Sequence, residues 1–216
     1  MVRGDLSAGL TGAPSSSGSS PSNWSTSARI SAPLVLLVLL CQLQGCFDSP
    51  VPLPLAAGVD LNSMYGAWYI VATIPNRFEK GMISPYDVYS KRADGDIRED
   101  FYCRRGKFEA PVKHVVVHDS VVPGTGNAHW LVEIFWPVKL PFLVLYTDPR
   151  YRYVLFGEDN RSFGWIYSRS PTIDETDYRM LLNHFGELGY DTAKFRRIIQ
   201  FPWQIGLPGF WNDGIQ

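Results

Sequence analysis

The chain has 216 residues, 45% apolar and 14% aromatic, enough to bury one sizeable core. Charged residues make up 19% and leave a formal net charge of -1, so there is no electrostatic footprint for nucleic acid as a partner. The densest basic groups, Lys91-Arg92 and Arg104-Arg105-Gly106-Lys107, read as solvated strand ends and turns.

Residues 1 to about 27 are rich in Ser, Gly, Thr and Pro and lack apolar periodicity, a composition that cannot offset chain entropy. Arg29, the apolar run Pro33-Leu34-Val35-Leu36-Leu37-Val38-Leu39-Leu40-Cys41 and the small Gly45 then have the order of a secretory signal. The run is short for a transmembrane helix, which needs about 20 apolar residues. Leu43-Gln44-Gly45-Cys46 resembles a bacterial lipobox, whose cysteine is lipidated and becomes the first residue. Leu43 and Gly45 match that pattern and Gln44 departs from it; the alternative is an ordinary cleaved signal with an incidental cysteine. Residues 1–45 are thus expected to be a leader and 46–60, with several prolines and little charge, a tether. Of Cys41, Cys46 and Cys103, the domain that follows keeps Cys103 alone and cannot form an internal disulfide.

The domain is expected over 61–202. It opens on Met64-Tyr65-Gly66-Ala67-Trp68-Tyr69-Ile70-Val71-Ala72-Thr73-Ile74-Pro75, a β-branched and aromatic run that favours a strand. Trp68, Ile70, Ala72 and Ile74 would share one face of it. After a long loop at 76–81, strands are expected at 86–92, 97–103, 113–122, 129–136, 142–146, 152–156 and 163–168. Turn chemistry stands between them, as in Ala93-Asp94-Gly95-Asp96 and Pro123-Gly124-Thr125-Gly126-Asn127. One helix follows, with capping-box spacing at Thr172-Ile173-Asp174-Glu175 and an apolar stripe Tyr178, Leu181, Leu182, Phe185, Leu188; Gly189 stops it. Residues 195–200 read as a last strand, and 203–216 form an aromatic tail. The expected fold is all-β: an eight-stranded antiparallel up-and-down barrel, one C-terminal helix packed outside it and a short final strand.

Three segments carry a family resemblance. Gly66 and Trp68 resemble the Gly-x-Trp motif that opens the first strand of the lipocalin barrel. Tyr146-Thr147-Asp148-Pro149-Arg150-Tyr151 is similar to the Thr-Asp turn between the sixth and seventh strands. Arg169, after Trp165-Ile166-Tyr167-Ser168, matches the arginine that ends the eighth strand and caps the first-strand tryptophan by cation–π packing. The bacterial outer-membrane lipoprotein branch is the most similar, through Gly164-Trp165-Ile166-Tyr167-Ser168-Arg169-Ser170-Pro171-Thr172-Ile173 and Arg77-Phe78-Glu79-Lys80-Gly81. The resemblance implies a carrier of a fatty acid such as palmitate, or of a lysophospholipid. It implies lipid anchorage through Cys46 at the bacterial outer membrane, with the domain facing the periplasm; a homodimer is left open.

Such a barrel encloses room for one small apolar ligand. On the fifth strand Glu133 belongs in water, which puts Trp130, Val132 and Ile134 inside. Ile70 and Ala72, on the Trp68 face, are expected to line the cavity with them. On the seventh strand alternation does not choose between the Val154–Phe156 and Tyr153–Leu155 faces, and Phe156 is taken as the candidate. Burying a sixteen-carbon chain would release on the order of 12 kcal/mol gross at about 0.8 per methylene, which ordering costs reduce to roughly micromolar binding.

No metal and no cofactor is expected. His114 and His118, four strand residues apart, would lie about 13 Å from each other. The enzyme reading rests on Cys103 as a nucleophile, which needs a depressed pKa, while a cysteine in a strand is more often a small hydrophobe. A third reading is envelope assembly, with Trp203, Phe210 and Trp211 exposed as a docking surface.

Overall fold

A computed structural model describes residues 51–216. The chain runs α1 (Leu61–Met64), β1 (Gly66–Thr73), β2 (Met82–Lys91), β3 (Ile97–Arg105), β4 (Lys113–Val121), β5 (His129–Phe135), β6 (Val138–Thr147), β7 (Tyr153–Gly157) and β8 (Gly164–Ser168). Then come α2 (Glu175–Glu187) and the two-residue β9 (Arg196–Arg197). Neighbouring strands pair antiparallel in chain order, and β1 pairs with both β8 and β2, which closes the barrel. Closure removes the free edges that an open sheet would leave. The last strand is shorter than the 195–200 expected, because only Arg196 and Arg197 find ladder partners, on Thr73 and Ala72.

A β-bulge in β1 decides which side chains point inward. Ile70 pairs with Tyr167 and Ala72 with Ile166, so Val71 is the extra residue and the inside–outside alternation shifts there. Trp68 and Ile70 face the barrel core, whereas Ala72 and Ile74 join Val71 in the outer layer beneath α2. The expectation that Ala72 shares the Trp68 face is therefore corrected, and Ile74 with it. Thr73 turns inward instead, its hydroxyl donating to Glu79 Oε2 at 3.2 Å.

The outer layer explains the amphipathic stripe. Leu181 and Phe185 are fully buried and pack with Leu143, Leu145, Leu155 and Ile166. The helix begins two residues later than the Thr172 box suggests: Asp174 is the cap, accepting from the Asp177 amide at 2.8 Å. Gly189, at φ +82°, supplies the left-handed residue that ends it.

Both flanks of the barrel are docked. Leu53 and Val59 are buried, so the stretch read as a tether packs on the barrel from at least Leu53 onward. At the other end the tail closes a seam. Strand β2 stays paired with β1 only from Gly66↔Tyr89 to Tyr69↔Tyr86, and the chain after β9 fills the gap beyond. The buried Gln200 amide donates to Ile70 O at 2.9 Å on β1 and to Pro85 O at 3.1 Å on β2. Trp211 is buried in the barrel core cluster and Phe210 is half-buried; the reading of an exposed aromatic tail is thus corrected for both, while Trp203 stays exposed.

Candidate ligand cavity

The closed end of the barrel is built by the first and last strands together. Trp68 is fully buried, and its indole N–H donates to Met64 O at 2.7 Å. The Arg169 guanidinium lies 3.7 Å from the centre of that ring. It also donates to Ser63 O at 2.6 Å, Ala67 O at 2.7 Å and Tyr65 O at 2.9 Å. Gly66 sits at φ +95°, and a β-carbon there would stand 3.4 Å from Arg169 Nη1, which gives the glycine of the motif two physical reasons. In the Thr147–Asp148 turn, Asp148 accepts from the amides of Arg150 and Arg152 and from the Arg152 guanidinium. Burial raises its pKa, but these bonds outweigh burial and hold the carboxyl below its usual range. Tyr151, on the same turn, accepts at its hydroxyl from the Asp60 amide at 2.7 Å.

Above this floor lies a cavity of about 390 Å³, within the size range of small-molecule sites. Its walls are Ile70, Phe101, Val132, Leu140, Phe142, Trp165 and Tyr167; Asn76, Phe78 and Glu79 of the β1–β2 loop and Glu158 and Phe163 stand at its mouth. Glu79 organises that loop, accepting from Trp165 Nε1 and Asn76 Nδ2 at 2.7 Å each. Phe78 is largely exposed at the rim, under the Arg77 guanidinium.

Of the expected lining residues, Ile70 and Val132 reach the cavity. Trp130 and Phe156 point into the barrel but lie beneath the cavity, fully buried: Trp130 packs against Tyr89 at 5.4 Å and Phe156 at 5.5 Å, and Phe142 stacks on Phe156 at 4.3 Å. They plug the closed end, and Phe142 and Tyr167, packed on Phe156, are the rings of this cluster that a ligand would touch. Ala72 is on the other face of β1. The Ile134 side chain and Cys46 with its leader lie outside what the structure describes.

Sequence reasoning missed the carboxyl groups inside. Asp87 on β2 and Glu99 on β3 line the cavity, and Asp119 on β4 is fully buried close behind them. Among the described residues no hydrogen bond of regular geometry reaches either oxygen of Asp87 or of Asp119, or the buried Tyr89 hydroxyl; Glu99 stands beside both aspartates and the Tyr167 hydroxyl beside Asp87. Burial pushes Asp87 and Asp119 up to about 7, and burial followed by the charges of its two neighbours raises Glu99 well above the usual range. Among the described residues no lysine or arginine lines the cavity.

Cys103 is buried but outside the lining, and burial pushes its thiol up, the wrong direction for a nucleophile. His114 and His118 are paired apart, with Asp100 at 2.7 Å and Asp96 at 3.0 Å. No helix among the described residues is long and apolar enough to cross a membrane.

A barrel closed by eight antiparallel strands, with one helix outside and an apolar cup within, defines a class that binds small molecules in its interior. The family profile described as "Lipocalin-like domain" matches residues 59–200, and the chain belongs to that family, the lipocalins, whose members bind small hydrophobic ligands. It is 29% identical over 170 residues to "Outer membrane lipoprotein Blc" of Escherichia coli K12, covering 76% of this chain and 93% of that one. It is 30% identical over 163 residues to the protein of the same name from Citrobacter freundii, covering 69% and 86%. "Temperature-induced lipocalin-1" of Arabidopsis thaliana is 29% identical over 155 residues, covering 66% and 80%. Among solved structures, insecticyanin from the tobacco hornworm Manduca sexta superposes with a TM-score of 0.57 at 16% identity, over 71% of this chain and 87% of that one. Lobster apocrustacyanin A1 superposes with a TM-score of 0.54 at 18% identity, over 73% and 96%; both likenesses bear on the fold alone.

Proposed function

We propose that the barrel stores or carries one small hydrophobic ligand, a single-chain lipid of the fatty acid or lysophospholipid class. The observation that carries this is the cavity of about 390 Å³, walled by Phe101, Val132, Leu140, Phe142 and Trp165 and open between Phe78 and Phe163. Transfer of a chain from water onto such walls is favourable by about 0.8 kcal/mol per methylene, and the pre-formed cup lowers the ordering cost. Among the described residues no cysteine, serine, threonine, histidine or lysine lines the cup, and its apolar walls support binding of a chain.

The test is a titration with a naturally fluorescent fatty acid, following energy transfer from the aromatic floor and walls. Saturable one-to-one binding that Val132→Trp weakens is the expected result. Binding that Val132→Trp leaves unchanged would put the ligand elsewhere.

The anchor belongs to the same proposal. The lipobox-like Leu43-Gln44-Gly45-Cys46 and the relatives named outer membrane lipoprotein support lipidation at Cys46, attachment to the bacterial outer membrane and a domain facing the periplasm. Metabolic labelling with palmitate checks the first step: the label should appear on the chain and vanish in Cys46→Ser.

A further inference from the structure

The apolar walls explain why a chain enters; the carboxyl groups at the floor concern what its polar end must be. Asp87 pairs in register with Trp68, and Glu99 with Tyr89, so both acids stand at the deep end of the cup, just above the aromatic plug. Asp87 is fully buried and lines the cavity; among the described residues no hydrogen bond of regular geometry reaches either oxygen, and the groups nearest them are other acids and the Tyr167 hydroxyl. Buried polar groups without partners are rare and costly, about 1–3 kcal/mol each and more for a charge. The terminal methyl of a fatty acid placed there would leave those oxygens unpaired. A carboxylate or phosphate head placed there would add negative charge beside Asp87 and Glu99, where the described lining includes no lysine or arginine.

Resting on the cavity-binding reading above, in which a fatty acid enters with its carboxylate left at the mouth, we propose that the preferred ligand is an amphiphilic amine. Its ammonium is seated at the floor against Asp87 and Glu99, and its apolar body lies along Phe101, Phe142 and Trp165. An ammonium supplies what the floor lacks, positive charge and several N–H donors, and charge-assisted bonds to carboxylates are the strong ones. A bare metal ion fits less well. Among the described residues, the trio of metal-ligating side chains close enough to share an ion is Asp94, Asp96 and His118, at an exposed turn where Arg92 and His118 already pair those acids. The groups facing Asp87 are Glu99 from β3, Asp119 from β4, Tyr167 from β8 and Glu79 from the β1–β2 loop, all acidic or neutral. Amine binding therefore strengthens as pH rises through about 7, where the carboxyls ionise.

The experiment compares dodecylamine, dodecanol and dodecanoate, below their micelle concentrations, on the full chain and on Asp87→Asn/Glu99→Gln. Calorimetry at about pH 8 should give an amine at least about tenfold tighter than the alcohol, with the carboxylate weaker than both. The variant should bring the amine to within about threefold of the alcohol, and circular dichroism with thermal unfolding reports separately that the variant is folded. Dodecanoate binding as tightly as the amine, or an amine advantage that survives in the variant, overturns the proposal and leaves the cavity reading standing. Failure of all three to bind overturns both.

Discussion

Arg169→Ala removes one side chain from the closed end and tests whether that end is held as the geometry implies. Three backbone carbonyls lose a charged donor, those of Ser63, Tyr65 and Ala67, and the Trp68 ring loses the guanidinium 3.7 Å from its centre. Hydrogen bonds to charged groups contribute about 1.5–3 kcal/mol each when well shielded, but Arg169 is only half-buried and water can replace part of each bond. Taking about 1 kcal/mol per bond and about 1 for the cation–π contact gives a loss of about 4 kcal/mol. Arg169→Lys keeps the charge but not the fork of donors, and should lose about half of that. Urea unfolding followed by tryptophan fluorescence reads both; with a slope of about 2 kcal/mol per molar, the alanine variant shifts the midpoint by about 2 M. A loss under about 1 kcal/mol for alanine, or lysine equal to arginine, would refute the idea that this side chain locks α1 and β1 to the end of β8.

Three further substitutions probe the packing, the seam and the buried acids. A β-carbon on Gly157 would stand 2.1 Å from the Tyr190 hydroxyl and 2.7 Å from Leu145 Cδ1, so Gly157→Ala should lower stability by about 2–3 kcal/mol, and adding Tyr190→Phe should recover part of it in a double-mutant cycle. Gln200→Ala strands the carbonyls of Ile70 and Pro85; a loss of about 2–4 kcal/mol is expected, with faster amide exchange in β2 where it leaves β1. Asp87 and Asp119, raised to about 7 by burial, hold protons in the folded state that the unfolded chain releases near its ordinary value of about 3.9. Their stabilising contribution is full below that value and is lost as pH rises through about 7, so Asp87→Asn should gain stability relative to the parent at about pH 8 and not at about pH 4. Thermal unfolding across that range reads the difference; a gain independent of pH would mean that Asp87 does not titrate there.

The barrel was legible because its signals are local. Gly66 and Trp68, the turn glycines and the stripe Leu181–Phe185 each name their place by chemistry that needs no distant partner. The cavity was less so, since lining depends on parity and parity depends on events that leave little trace in composition. The bulge at Val71 moves Ala72 outward, yet nothing in a run of apolar residues marks it. Trp130 and Phe156 do point inward, but depth along the barrel axis, which makes them a plug, is set by the register of β5 on β6 and of β7 on β8. Glu99 was within reach: Ile97, Glu99, Phe101 and Cys103 alternate with Arg98, Asp100, Tyr102 and Arg104, and only one of those sets belongs in water. Asp87 and Asp119 sit on strands where both faces carry polar residues, so their burial needs the closed barrel to be seen.

The central claim is that the space above the Trp68 and Trp130 floor is where the ligand sits, and a cavity of fixed depth has a signature no surface can imitate. Affinities of a neutral alkanol series should rise by up to about fourfold per added methylene and then level off once the cup of about 390 Å³ is full. Val132→Trp should bring that plateau to shorter chains. Affinity that climbs without a plateau in both proteins, or that ignores chain length altogether, would contradict the claim.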